Sequence, residues 1–216
     1  MMKFKKKDEE KYIEIENDEY IDIDMYKSEL FDIYSKHKRE DFNTRKLNLD
    51  DSNCQSWEDE RLLLVKDNVL EVMWIKPLYM LDHSGLTLSL SSFKNPWDSG
   101  QLGFLYVTKQ NMKEYFGTAE LTDEIKKKID KLADEYIELY NNLLSGNVYW
   151  FKFYEIIEFE YKGIKKNLKT NKIIEINEIK KEKVDLDSCG GFVGYEGLLD
   201  NICDWLGERS IDYMEV

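Results

Sequence analysis

The chain has 216 residues and a large excess of acid, with 44 Asp and Glu against 31 Lys and Arg and a net charge of −13. A single domain of this size buries about 70% of its unfolded surface, so it needs neither disulfides nor metals to hold it together. Because affinity for a nucleic acid backbone comes mostly from Lys and Arg, this charge argues against direct nucleic acid binding.

The cysteines and the hydropathy pattern bear on the compartment. Cys54, Cys189 and Cys203 are far apart and form no CxxC pair, which argues against a zinc site or a disulfide framework and favours a reducing cytoplasm. No stretch approaches about 18 uninterrupted apolar residues, so no membrane span is expected. The basic start at residues 1–7 leads directly into acids, without the apolar core of a signal peptide.

Residues 1–55 are predicted to form an acidic N-terminal appendage. Apolar and acidic residues alternate over 12–16 and 21–24, which indicates two short strands or a hairpin with one face nearly all carboxylate. Apolar residues at helical spacing over 26–38, with Lys and Arg gathered at the end, predict a helix after the hairpin. Polar residues over 39–56 then lead into the main domain.

The main domain, residues 56–216, is predicted to be α+β, with an antiparallel sheet packed against one long amphipathic helix. That helix is predicted over 118–144, where apolar residues recur at intervals of three and four. Shorter helices are predicted over 57–65 and 198–206. Strands are predicted over 69–81, with Pro77 at an edge or a bulge, over 86–90, 103–107 and 148–161, and as a final hairpin that pairs 173–176 with 184–193.

A turn over 82–85 carries residues suited to general base catalysis. Its sequence is Asp82-His83-Ser84-Gly85, and a carboxylate beside an imidazole can orient the ring for proton transfer. The alternative is structural, with these side chains hydrogen-bonding the backbone of the turn, as Asp and Ser often do. The sequence leaves both interpretations open.

A second turn has the sequence Pro96-Trp97-Asp98-Ser99-Gly100. Asp98 and Ser99 are candidates for an acid–base group and a nucleophile. The structural alternative is that Asp98 caps the turn, Gly100 adopts a conformation that other residues avoid, and Trp97 packs. Because the GxSxG motif is absent, serine chemistry has no motif support.

Cys189 is a further candidate, since it lies between Asp187-Ser188 and Gly190-Gly191, where a flexible backbone can expose a thiol. With His83 it makes a formal cysteine and histidine pair. The alternative is that Cys189 is a small buried hydrophobic residue in a strand.

Metals and cofactors are not expected. Asp82, His83, Asp98 and Asp187 have no spacing that fixes metal ligands on one face. The glycine-rich stretch 190–194 lacks the GK[ST] and GxGxxG signatures of phosphate binding. The lysine-rich stretch 162–183 has few aromatic residues for stacking bases and is predicted to be a solvated hairpin.

These turns resemble those of a group of uncharacterised small proteins from phages and conjugative elements of low-GC bacteria. The resemblance spans approximately residues 67–205. It rests on His83-Ser84-Gly85, on Trp97-Asp98-Ser99-Gly100-Gln101-Leu102-Gly103 and on Asp187-Ser188-Cys189-Gly190-Gly191. Members often have Cys-Pro where this chain has Asn95-Pro96, so a cysteine role at that turn does not carry over. The resemblance implies a mobile-element setting in a bacterial host rather than a mechanism.

Three functional hypotheses follow. The first is an inhibitor of a host defence complex that acts on nucleic acid, such as a CRISPR effector or a restriction enzyme, through protein–protein contact with its basic surface. Its contact residues would be Glu14, Glu16, Asp18, Glu19, Asp22 and Asp24. The second is a small hydrolase or group transferase. Its site would contain Asp82, His83, Asp98, Ser99 and Cys189. The third is an accessory module that binds another protein through an exposed edge strand.

Overall fold

A computed structural model describes residues 1–20, 22, 26–36, 42, 53–66 and 70–216. The chain divides into two compact units, Met1–Ile21 with Gly146–Val216, and Asp22–Ser145. This division differs from the predicted boundary between residues 55 and 56, because the N-terminal strands belong to the same unit as the C-terminal third of the chain.

The described helices and strands follow one another along the chain. In order they are β1 (Met2–Lys6), β2 (Lys11–Asn17), β3 (Asp32–Ser35), α1 (Trp57–Lys66), β4 (Val72–Asp82), β5 (Leu86–Ser89), β6 (Ser99–Thr108), α2 (Lys109–Phe116), α3 (Asp123–Leu144), β7 (Val148–Lys166), β8 (Ile173–Val193), α4 (Leu198–Leu206) and β9 (Tyr213–Glu215).

The first unit is a five-stranded antiparallel sheet with the strand order β8-β7-β2-β1-β9. Side chains alternate between the two faces of each strand, so Ile13 and Ile15 of β2 lie on the same face as Phe151 of β7. These residues pack with Ile202 of α4 into the core of this unit.

The second unit is a four-stranded antiparallel sheet with the order β3-β6-β4-β5. Helix α3 packs on it and begins at Thr122, whose side chain accepts a hydrogen bond from the backbone N–H of Ile125. Buried residues at helical spacing, from Ile129 to Tyr140, form a core with Leu105 of β6 and neighbouring sheet residues.

The α+β class is confirmed, but the predicted arrangement of one sheet against one long helix is wrong. The described residues form two sheets, and α1, α2 and α4 accompany α3. The sequence analysis missed α2, which begins at the capping residue Thr108 and ends at Gly117, where φ is 72°. Pro77 lies in β4 before the pairing with β5 begins and next to a register shift, as predicted.

The helix predicted over 26–38 is wrong for its described part, residues 26–36, because Asp32–Ser35 form strand β3 and pair with β6. Pairing with a distant strand outweighs the helical spacing of the apolar residues. The predicted strand over 21–24 lies outside the described residues except for Asp22, which is in no strand. The hairpin partner of β2 is β1.

The predicted final hairpin is also wrong, because residues 173–176 and 184–193 lie on one strand, β8, which pairs with β7. The chain reverses at residues 167–172, where Oδ1 of Asn167 accepts hydrogen bonds from the backbone N–H groups of Lys169 and Thr170. Residues 156–183 form a ribbon of only two strands among the described residues, and this ribbon is referred to as the arm.

Candidate functional site

The structure brings together His83 and Asp98, two of the residues predicted for a catalytic site. Nδ1 of His83 lies 3.1 Å from Oδ2 of Asp98, and the side-chain amide of Asn95 donates to the same oxygen at 2.8 Å. Asp82 contributes through its backbone, since its N–H donates to the carbonyl of Asp98 at 2.8 Å. The two glycine-containing turns are therefore joined by hydrogen bonds.

The hydroxyl of Ser99 is engaged within its own turn. It donates a hydrogen bond to the backbone carbonyl of Asn95. The side-chain oxygen of Asn95 accepts a hydrogen bond from the backbone N–H of Trp97 at 3.1 Å. Such local bonds are the usual way in which Asn and Ser shape a turn.

The contact between His83 and Asp98 lies at the surface of the second unit. The exposed fraction is 68% for the His83 side chain and 38% for that of Asp98. Active sites usually exclude water from the reacting groups, because a dry site strengthens the interactions within it. The exposed contact therefore fits a structural role in the turn, and the catalytic role stays a prediction.

Two details of the second turn differ from the structural interpretation. Trp97 does not pack, since 92% of the residue is exposed. Gly100 has no positive φ, and an added Cβ there would meet nothing within 4 Å. The glycine that the fold requires is Gly103, where a Cβ would lie 2.9 Å from Cα of Ser35 and closer still to the carbonyl oxygen of Tyr34. Strands β3 and β6 approach each other closely at this point.

Cys189 lies on β8 in the first unit, whereas His83 and Asp98 belong to the second unit. Cys189 is half-buried, pairs with Phe151 and packs against the apolar core. In the same core, burial raises the pKa of the Cys203 thiol to about 11, which keeps it protonated and unreactive near neutral pH. Both cysteines thus make the contacts of small hydrophobic residues.

Glu14 is enclosed by basic and aromatic groups. Its carboxylate accepts hydrogen bonds from Nζ of Lys183 at 2.6 Å and from the hydroxyl of Tyr154 at 2.7 Å, and Nζ of Lys3 lies 3.5 Å away. Burial acts to raise the pKa of Glu14, but these hydrogen bonds and the lysine charges outweigh burial, so its pKa lies below the ordinary value. Glu14 therefore stabilises the sheet of the first unit.

The other predicted contact acids differ in exposure. Glu16 and Asp18 are half-buried, Glu19 and Asp22 are exposed, and Asp24 lies outside the described residues. Because the charge of the Glu14 carboxylate is paired with lysines, β2 does not present a continuous row of unpaired carboxylates. The exposed acid lies in the segment that follows β2.

Residues 17–20, at the end of β2 and just after it, are referred to as the acidic turn. Its backbone is anchored by two hydrogen bonds. The N–H of Asp18 donates to the carbonyl of Val148 at 2.8 Å, and the side-chain amide of Asn17 donates to the carbonyl of Gly146 at 3.0 Å. Oδ1 of Asp18 accepts a hydrogen bond from the N–H of Tyr20 at 3.1 Å. Tyr20 is 93% exposed. The acidic turn therefore holds an aromatic ring in solvent next to carboxylates.

An ion pair between the buried Glu60 and the partly exposed Lys36, in the second unit, has no counterpart among the sequence predictions. Glu60, which is 3% exposed, pairs with Lys36 and accepts a hydrogen bond from the hydroxyl of Tyr34 at 2.7 Å. Together with Cys54 and Trp57, the pair lines a cavity of about 210 Å³. Lys36 and Tyr34 thus compensate the charge of the buried Glu60 carboxylate within the protein.

Within the described ranges, no three His, Cys, Asp or Glu side chains are grouped so that they would hold a metal ion. None of the helices in those ranges has both the length and the apolar character needed to cross a bilayer.

Comparison with protein-family models, with curated proteins and with solved structures gives no match to this chain.

Proposed function

We propose that this protein is a non-enzymatic inhibitor that binds a basic surface of a host defence complex acting on nucleic acid. The contact surface is the acidic turn, in which Tyr20 directly follows Asp18 and Glu19 in the sequence. The observation that carries the proposal is the 93% exposure of Tyr20 on a backbone held by three hydrogen bonds.

The composition of the acidic turn suits a basic partner. Tyrosine is enriched among the residues that dominate binding energies, and its ring attracts the guanidinium of Arg or the ammonium of Lys. Carboxylates beside the ring, on a chain of net charge −13, speed association with a positively charged surface. Because the backbone is already anchored, little conformational entropy is lost on binding.

The class of partner follows from the resemblance to phage and conjugative-element proteins. Such elements gain from blocking host complexes that bind or cut nucleic acid, and those complexes hold their nucleic acid in channels lined by Lys and Arg. An acidic protein bound at such a channel excludes the nucleic acid by occupying the same positive charges.

The test uses bacteria with an active CRISPR or restriction system that express this protein during phage infection. The wild-type protein should raise the fraction of phage that forms plaques. Tyr20→Ala should weaken binding to the purified defence complex by roughly thirtyfold or more, since truncation of a dominant contact residue costs at least about 2 kcal/mol. Glu19→Lys, made separately, should also weaken binding, because it reverses a charge that faces the basic partner.

The matched control reverses another exposed acid of the first unit, Glu196→Lys, and so makes the same change in net charge as Glu19→Lys. The control should retain inhibition. A role for the acidic turn would be contradicted if Glu19→Lys inhibited as strongly as the wild-type protein, or if Glu19→Lys and Glu196→Lys lost inhibition equally.

A hydrolase or group transferase is the second candidate, and the contact between His83 and Asp98 favours it, since a carboxylate at Nδ1 orients an imidazole for proton transfer. In that case, His83→Ala and Asp98→Asn remove turnover of ester or phosphoester substrates without lowering the melting temperature. Absence of turnover by the wild-type protein on both substrate classes discards this candidate.

A further inference from the structure

The arm extends the sheet of the first unit as a bare two-stranded ribbon. Eleven residue pairs, from Ile156 and Lys183 to Lys166 and Ile173, lie in it. At about 3.4 Å per residue, the ribbon is about 37 Å long. Two-stranded ribbons are marginally stable in water unless their apolar side chains are covered.

One face of the arm is continuously apolar along β7 and then crosses to β8 near the tip. Paired residues of antiparallel strands share a face, so the register places a single set of uncharged residues on it. The set, referred to as the apolar arm face, is Ile157, Phe159, Tyr161, Gly163, Ile174 and Ile176. The rings of Phe159 and Tyr161 lie 6.5 Å apart, which confirms that they are on the same side.

The charges on this face cancel and are engaged with one another. Lys165 and Glu178 form an ion pair at 3.6 Å, and Lys180 lies 3.8 Å from Glu178 and 5.1 Å from the centre of the Tyr161 ring. The hydroxyl of Tyr161 donates to Glu182. The apolar arm face therefore has two lysines, two glutamates and no net charge.

The opposite face and the turn at the tip differ in charge. The register places four lysines and three glutamates on the opposite face, and the turn adds Lys169 and Lys172. The isoleucines of that face, including Ile164 and Ile179, are separated by these charges. Only the apolar arm face combines contiguous apolar side chains with local neutrality.

We propose that the apolar arm face is the docking surface for a second copy of this chain, with the two arms packed face to face. Molecules of net charge −13 repel one another, so self-association requires a contact surface where the local charge cancels. The apolar arm face meets this requirement, and its aromatic side chains suit an interface core. The proposal is independent of the proposed function.

The size of the face predicts the strength of the dimer. A ribbon about 37 Å long and about 10 Å wide offers about 370 Å² per copy, given a strand spacing of about 4.8 Å. Two such faces bury about 740 Å² in total, below the about 1,200 Å² of stable specific interfaces, so the dimer is weak and transient. We therefore expect a dissociation constant on the order of 10 µM.

Gly163 leaves a gap in the apolar arm face opposite Ile176, and an added Cβ there would meet nothing within 4 Å. Glycine inside a strand often marks a place where another group approaches closely. In the dimer, this gap receives a side chain of the second copy.

The test is sedimentation equilibrium of the full chain from about 1 to about 300 µM, a range that brackets the expected dissociation constant. Ile174→Thr with Ile176→Thr on the apolar arm face should weaken the dimer at least tenfold. The matched control, Ile164→Thr with Ile179→Thr on the opposite face, should change it less than threefold. Those control residues are 70% and 71% exposed, and threonine preserves strand propensity at all four positions.

Two further measurements separate this interface from other contacts. Gly163→Val raises strand propensity yet should weaken the dimer by filling the gap. Raising NaCl from about 0.15 to about 0.5 M should leave the dimer unchanged or strengthen it, because salt screens the repulsion between copies. Any of four results overturns the proposal. These are a monomer at every concentration, equal weakening of the dimer by both isoleucine pairs, a dimer that Gly163→Val leaves intact, and dissociation of the dimer at high salt.

Discussion

Among single residues, Glu14 shows how an acid in an acidic chain serves stability. Replacing it with Gln turns the charged hydrogen bonds from Lys183 and Tyr154 into neutral ones, and we expect a loss of about 1 kcal/mol in the free energy of unfolding near neutral pH. The pKa of Glu14 is lower in the folded state than its ordinary 4.5. Its contribution is thus fully present above pH 4.5 and is lost as the pH falls through the folded value.

Urea unfolding of the wild-type protein and Glu14→Gln at about pH 7 and about pH 3 checks this expectation. The difference between the two proteins should narrow at the lower pH. Glu19→Gln is the control, because Glu19 is exposed, and it should change stability by less than about 0.5 kcal/mol at the higher pH. A difference that is the same at both pH values would rule out the ionised carboxylate as its source.

Gly103 and Gly100 offer a matched pair within one motif. Gly103→Ala forces β3 and β6 apart, because the new Cβ overlaps the backbone of Tyr34, and we expect a loss of about 3 kcal/mol or more. Gly100→Ala meets no atom within 4 Å and should leave stability unchanged or raise it by about 0.5 kcal/mol. Denaturant unfolding measures both, and equal effects would show that the close approach at Gly103 is unimportant.

At the scale of elements, the edge strand β5 is closed by a side chain rather than by another strand. Asn141 of α3 accepts a hydrogen bond from the N–H of Leu88 at 2.7 Å and donates one to its carbonyl at 2.9 Å. One amide thus satisfies both backbone groups of Leu88 and blunts an edge that would otherwise pair with another chain.

Asn141→Ala should cost about 1–3 kcal/mol, because it leaves both backbone groups of the buried Leu88 without these partners. It should also speed hydrogen exchange at the Leu88 amide more than at amides of β6. The control is Glu138→Ala, one helical turn away and exposed, which should have little effect on either measurement. Unchanged exchange at Leu88 would show that Asn141 does not hold the edge.

How well an element is predicted from the sequence depends on how local its cause is. Helix α3 is predictable, because the cap at Thr122 and the apolar spacing lie within the helix itself. Strand β3 is not, because it exists through pairing with β6, about seventy residues later. In the arm, apolar residues occur on both faces, so the alternation of apolar and polar residues does not show which face is suited to contact another surface.

The same distinction applies to the candidate sites. The contact of His83 with Asp98 depends on the pairing of β4 with β6, which the sequence does not show. Enclosure of Glu14 depends on Lys183, far along the chain. Exposure of Tyr20 and Trp97 was not predicted either, because a large apolar side chain in a turn has the same sequence signature whether it packs or faces solvent.

For the whole molecule, the chain order links the stability of the two units. Strands β2 and β7 are neighbours in the first unit, yet residues Asp22–Ser145 of the second unit lie between them in the sequence. Closing an unfolded loop of about 130 residues costs roughly 5 kcal/mol in conformational entropy. A folded second unit reduces this cost, because its own contacts already restrict the connection.

Unfolding of the second unit should therefore weaken the first, whereas the reverse effect should be smaller. Leu105→Ala removes a fully buried side chain of the second unit, and Phe151→Ala removes one of the first, each at a cost of about 3–4 kcal/mol. Hydrogen exchange in moderate urea should show that Leu105→Ala lowers protection in both α3 and β2. Phe151→Ala should lower the protection of β2 while α3 keeps most of its protection. The second unit is continuous in sequence, so none of its strand pairings has to close a loop through the first unit. Full protection of β2 in a Leu105→Ala protein whose α3 exchanges freely would show that the two units fold independently, despite the insertion of one within the other.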